Sequence, residues 1–307
     1  MPKRAAALKA SEAISASVNF LDGASSAGAS AVRPLASSAS AASIVARYGD
    51  GTPSQSVTPS KVAAADSAGL VTRGDSTTRA TPELYTAGPA VRGKDGRLTF
   101  PGGPSSFRPN LTPEDVLRAG AFGGYYYRPL ASGALKRVIV DQHLELPASW
   151  IAGLHPRRLT ALRKDASQNK YGVDCGQDVA AWEESGWISD FDPLGWFQWY
   201  TRYFQGRRCA DDPRQISRWS KLAGATGRWK NNLIAKCVRA GAAFDDPTIS
   251  PVVRQTLLHW AYELTPDDFS AYAKKVRAGA STSFVGIVAP KVKPEAAATK
   301  AKKRARE

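Results

Sequence analysis

Four pairs of adjacent carboxylates, Glu183–Glu184, Asp211–Asp212, Asp245–Asp246 and Asp267–Asp268, and three histidines, His143, His155 and His259, are the side chains of this sequence suited to proton transfer or metal binding. Two neighbouring carboxylates can share acid and base roles or hold a hard cation through their oxygens. Three of the four pairs, however, stand at or just inside a helix-start signal, where capping and the helix dipole account for them. No histidine lies at ligand spacing from another histidine or a cysteine, and Cys175, Cys209 and Cys237 contain no C-x-x-C pair. Cys237 and His259 are of the right types for a nucleophile and its base, but nothing in their spacing joins them. The run at Gly120–Gly124 follows a helix rather than a strand and lacks the Lys-Ser/Thr of a phosphate loop, so it reads as a helix cap and turn. The sequence thus offers no catalytic set, no metal site and no cofactor motif.

Anion binding is the chemistry the charges favour. The 307 residues carry 42 Lys and Arg against 27 Asp and Glu, a net charge of +15, which suits nucleic acid first and an acidic membrane surface or acidic protein next. The excess is uneven. Residues 83–195 hold thirteen basic and thirteen acidic side chains, whereas residues 196–239 hold ten basic and two acidic. Those ten are Arg202, Arg207, Arg208, Arg214, Arg218, Lys221, Arg228, Lys230, Lys236 and Arg239. Arg214, Arg218 and Lys221 recur at i, i+4 and i+7 on one helix face, and Arg228, Asn232, Lys236 and Arg239 line another. Like charges one turn apart repel by a few tenths of a kcal/mol, so such a face is costly unless an anion meets it. The plainer account of Arg207 and Arg208 is a pair of cations matched to the dipole at a helix C-terminus. As nucleic-acid contacts, the ten cations would meet phosphates and Asn231 and Asn232 would reach bases.

These residues must be positioned by helices. A capping residue followed by Pro recurs at Thr112, Asp192, Asp212, Ser250 and Thr265, and each is a helix start with Pro in the first turn, where its missing N–H costs nothing. Further helices are expected from Asp178 and between Gly227 and Gly241. In the stretch "DPLGWFQWYTRYFQGRR", Trp196, Trp199, Tyr200, Tyr203 and Phe204 form one apolar face, with Gln198, Arg202 and Gln205 opposite and Gly206 as the stop. The pair joined by "AGATG" has the outline of a helix-turn-helix. A short β-hairpin is expected from "GGYYYRPL" and "LKRVIV" around an "ASG" turn.

The expected fold is therefore mainly α: a single domain of about seven helices over residues 83–281, flanked by an Ala/Ser-rich disordered segment, 1–82, and a basic disordered tail, 282–307. All eight tryptophans fall between Trp150 and Trp260, which places the core. The odd cysteine count favours a reduced, intracellular setting, and no apolar run reaches membrane-spanning length. The C-terminal "KAKKRARE" has the form of a nuclear import signal, with a cytoplasmic or organellar location as the alternative.

The runs "GAFGGYYYRPL", "NKYGV", "WEESGWI", "DPLGWFQWYTRYFQGRR", "DDPRQISRW" and "RQTLLHWAYEL" resemble a family of uncharacterised proteins of algae, fungi and other microbes that share a Gly-Trp-Phe-Gln-Trp-Tyr and Gly-Arg-Arg block followed by Asp-Arg-Gln-Ile-x-Arg-Trp. The resemblance covers residues 107 to 264, implies one shared domain, and implies no activity. The functional expectation is nucleic-acid binding, to DNA or RNA, through the basic face of residues 202–239. The alternatives are a module for acidic protein partners and a nucleic-acid-modifying enzyme.

Overall fold

The computed structural model of the chain describes residues 56–74 and 85–279. In chain order its elements are α1 (Pro59–Ser67), β1 (Val71–Arg73), β2 (Val91–Arg92), β3 (Leu98–Thr99), α2 (Pro113–Ala119), β4 (Leu130–Ser132), β5 (Arg137–Val140), α3 (Ala148–Ile151), α4 (Val179–Glu184), α5 (Trp196–Phe204), α6 (Asp212–Ala223), α7 (Arg228–Ala240), α8 (Pro251–His259) and α9 (Pro266–Arg277). Helices dominate, but two small sheets accompany them: β1–β5–β4 in that order, and the β2–β3 ribbon. The expected hairpin is β4–β5, antiparallel with Ala131 opposite Val138.

Residues 56–74 correct the expectation of disorder through residue 82. They supply α1 and β1, and β1 pairs in parallel with β5, Thr72 opposite Ile139. Val57 and Ala65 are buried against Ala131, Val138 and Val140 in a small second core. The segment is poor in large apolar residues, but pairing with the β5 edge and covering Val138 and Val140 offset the entropy of ordering it. Residues 1–55, 75–84 and 280–307, which include the rest of that N-terminal segment and the basic tail, lie outside the described residues.

Side-chain caps form at three of the expected helix starts, whereas the helices at Asp212 and Ser250 begin with Pro in the first turn and no side-chain cap. Thr112 and Asp115 form a reciprocal capping box on α2, and Thr265 and Asp178 accept from the third-residue amides of α9 and α4. Asp192 behaves differently. The helix that follows begins only at Trp196, and the Asp192 carboxylate is turned into the core as a counter-ion.

The main core is built around α5. Trp199, Tyr200 and Tyr203 are buried as their spacing requires, and Phe107 meets the Trp219 ring edge-on at 5.1 Å. The side expected to be polar is buried too: Gln198 is 1 % exposed, donates to Gln142 (2.9 Å) and accepts from the Leu194 N–H (2.9 Å). Gly206 stops the helix at φ 100°, where a Cβ would stand 2.4 Å from the Ala87 carbonyl oxygen, so only glycine fits.

The pair α6–α7 is present, yet α7 packs against α6, α8 and α9 at once. Trp229 and Lys230, in its first turn, are buried. A recognition helix presents its first turns to a groove, and this one is occupied by its own domain.

Candidate functional site

The cations of the middle segment do not form one platform. Arg207 is buried and Arg202 half-buried around Asp192, which is 0 % exposed. Its carboxylate accepts from Arg202 at 3.0 Å and from Arg207 at 2.6 Å. Glu145 takes Arg202 in a fork, through Nε at 2.7 Å and Nη2 at 2.6 Å. Burial alone would lower the Arg202 pKa, but these carboxylates raise it above the ordinary value. Lys230, also buried, lies 3.5 Å from Asp268 and over the Tyr262 ring, while Arg97 donates to the same Asp268 at 2.6 Å. Arg202, Arg207 and Lys230 are therefore corrected from phosphate ligands to structural counter-ions. Their partners Glu145, Asp192 and Asp268 arrive from outside the segment whose charges suggested a bare cationic face.

Arg208 donates to the carbonyls of Tyr203 (3.0 Å), Arg207 (2.7 Å) and Pro101 (2.9 Å) and covers the Tyr203 ring, which makes it a clamp on the end of α5. Arg214 forks onto Asp211, at 2.5 and 2.8 Å. Lys221, Lys236 and Arg239 are exposed on α6 and α7, and Arg228, Asn231 and Asn232 are half-buried on α7. Arg218 has a separate place.

Arg218 stands at the rim of a cleft of about 700 Å³, counting its open mouth, that the sequence did not point to. Its walls come from four parts of the chain: Phe122 and Tyr126 from the loop after α2, Gln177, Trp182, Trp187 and Ile188 around α4, Trp196 and Phe197 from α5, and Thr256, His259 and Trp260 at the end of α8. The Arg218 guanidinium lies 5.2 Å from the Trp187 ring centre and 5.4 Å from that of Trp260, within cation–π range of both. Among the described residues no carboxylate lines the cleft.

Its hydrogen-bonding groups are unevenly spent. Trp196 donates to the Gln215 carbonyl. Among the described residues no acceptor meets the indole N–H of Trp182, Trp187 or Trp260. Gln177 Oε1 is buried and has no hydrogen-bond partner among the described residues, a condition that costs about 1–3 kcal/mol if nothing fills it. The wall thus offers aromatic faces, a cation, N–H donors and one vacant acceptor.

The floor is strained. Phe122 has φ 55°, a left-handed backbone that a bulky residue adopts only when held. Two contacts hold it: its N–H donates to His259 Nε2 at 2.9 Å, and its ring stacks on the imidazole at 4.1 Å. Because Nε2 accepts, the proton of His259 sits on Nδ1, which faces Cys175 Sγ at 3.5 Å. Burial, reinforced by the charge of Lys164, lowers the His259 pKa to about 3, and burial raises the Cys175 thiol to about 12. This is a neutral pair and no activated thiolate. The sequence allowed Cys237 as a partner of His259; Cys237 instead lies 3.5 Å from Arg254 Nη2.

An inner recess continues the cleft toward Tyr125, Arg128, Lys164 and Cys175. Lys164 is committed there, paired with Asp174 and bonded to the Cys175 carbonyl at 3.0 Å. No group of three or more metal-ligating side chains occurs among the described residues, nor does any helix there suffice to cross a membrane. No family model, curated protein or solved structure matches the chain.

Of the residues that line this cleft, the sequence pointed only to Arg218 as a binding residue. Gln177, Trp182, Trp187 and Trp260 went unread. The available signal was that "WEESGWI" places two tryptophans five apart, a spacing that one helical face does not explain.

Proposed function

We propose that this domain binds a ligand that combines a flat aromatic ring with an anion, the chemistry of a nucleobase and its phosphate, in the tryptophan-lined cleft. One observation carries the reading: four indoles and the Arg218 guanidinium converge on one cleft. Stacking of a base on an aromatic side chain is worth about 1–3 kcal/mol and tolerates any base. Arg218 supplies charge for the phosphate, the indole N–H groups donate to ring carbonyls, and Gln177 Oε1 accepts a base N–H. Nucleic-acid chemistry thereby moves from the helical face of residues 202–239 to the cleft, and Arg218 belongs to both.

The test is quenching of tryptophan fluorescence by uridine monophosphate and adenosine monophosphate, with the parent nucleosides as controls. Both nucleotides are expected to quench and to bind more tightly than the nucleosides. Arg218→Gln is expected to weaken nucleotide affinity about tenfold, and Gln177→Ala by a smaller factor. Absence of quenching at millimolar nucleotide, or equal affinity in Arg218→Gln, overturns the reading. Quenching by an aspartate-rich peptide in place of nucleotides replaces it with a protein-interaction module.

A further inference from the structure

We infer that the ligand is a single strand of nucleic acid, with one base in the cleft and its backbone continuing along α6 from Arg218 toward Lys221. This inference rests on the cleft reading above.

Arg214, Arg218 and Lys221 follow one another at i, i+4 and i+7 and so share one face of α6. That face borders the cleft. Arg214 Nη1 donates to the Trp187 carbonyl at 3.3 Å, while the Arg218 guanidinium covers the Trp187 ring. The two ends of the row differ in what they have left to give. Arg214 is forked onto Asp211. Lys221 is exposed, and among the described residues no carboxylate pairs with it. It lies about 4.5 Å further along the helix axis than Arg218, at 1.5 Å per residue. A backbone leaving the cleft at Arg218 therefore meets its next available cation toward the C-terminal end of α6.

The cleft also chooses between strand and duplex. A base in a duplex is covered on both faces by its neighbours, so it reaches an indole wall only when unstacked. A free strand offers that base without the cost of extruding it. With Arg218 and Lys221 as the phosphate contacts, the salt dependence is shallow: about 0.7 in log affinity per log salt for each contact on a single strand.

The full chain is titrated with fluorescein-labelled octauridylate, octathymidylate and a sixteen-base-pair duplex, followed by anisotropy, in parallel with quenching by uridine monophosphate. The octamers are expected to bind at least tenfold more tightly than the mononucleotide and more tightly than the duplex. Lys221→Glu is expected to weaken octamer binding about fivefold and to flatten its salt dependence, with mononucleotide affinity unchanged. Arg218→Gln weakens both, which separates the cleft from adventitious binding by the basic tail. Octamers no tighter than the mononucleotide, a duplex bound as tightly as the strands, or octamer binding indifferent to Lys221→Glu each overturn the strand. If the mononucleotide binds and the octamer gains nothing, only the strand is lost. If neither quenches, the cleft reading falls with it.

Discussion

His259 shows how a single side chain is fixed by its surroundings. Its Nε2 must accept from the Phe122 N–H, and its ring is enclosed, so the charged form is excluded until the pH falls to about 3, against an ordinary value of 6.5. The unfolded chain takes up that proton through pH 6.5 and the folded chain does not. The stabilisation is therefore complete above pH 6.5 and is lost on acidification, at about 1.4 kcal/mol per pH unit down to pH 3. His259→Gln keeps an acceptor for the Phe122 N–H and removes the titration. Urea unfolding between pH 6.5 and 4.5 is expected to show a falling stability in the parent and a much flatter line in the variant. An equal slope in both would mean that the imidazole is not held neutral. Asp268, whose carboxylate is lowered below 3.8 by its bonds to Tyr262, Lys230 and Arg97 against the opposing effect of burial, contributes only at lower pH. His143, whose pKa burial also lowers against the opposing charge of Asp141, adds a slope common to parent and variant, so the difference between the two lines belongs to His259.

At the scale of elements, Asp192 ties the loop before α5 to that helix through Arg202 and to the segment after it through Arg207. Asp192→Asn leaves Arg207 buried without a carboxylate, while Arg202 keeps Glu145. Breaking one side of a buried pair costs about 3–5 kcal/mol. Urea unfolding is expected to show a loss of that size for Asp192→Asn, and within about 0.5 kcal/mol for Asp245→Asn, whose side chain is exposed. The same residue marks how far the sequence could be read. Thr112, Asp178 and Thr265 were legible because a cap is a contact between residues three apart in the chain. Asp192 carries the same Asp-Pro signature, but its use is decided by Arg202 and Arg207, ten and fifteen residues on. The apolar spacing of α5 marked its core face and gave no warning that Gln198, on the other side, is buried against Gln142. The cleft was least legible: Phe122, Gln177 and Trp260 meet only after three parts of the chain have folded together, and no local pattern encodes that meeting.

For the molecule as a whole, the N-terminal segment is the part whose contribution composition most underrates. α1 and β1 cover one side of the β4–β5 hairpin, and Ser56 bridges deeper, accepting from Arg128 Nε at 2.8 Å and donating to the Leu162 carbonyl at 2.7 Å. A chain that starts at residue 75 loses the parallel pairing of β1 with β5 and uncovers Ala131, Val138 and Val140. Each valine moved from water to a full interior is worth about 1.5–3 kcal/mol before the ordering entropy of the segment is subtracted. The net stabilisation should thus amount to a few kcal/mol, and a domain of this size shifts by about 2–4 °C for each. Thermal unfolding followed by circular dichroism is expected to place the truncated chain about 5–10 °C below the full one, with a single transition retained because the main core around α5 is untouched. An unchanged midpoint would mean that residues 56–74 pack without stabilising. Loss of the transition altogether would mean that the hairpin, and the Arg128 it holds beneath the cleft, cannot persist without them.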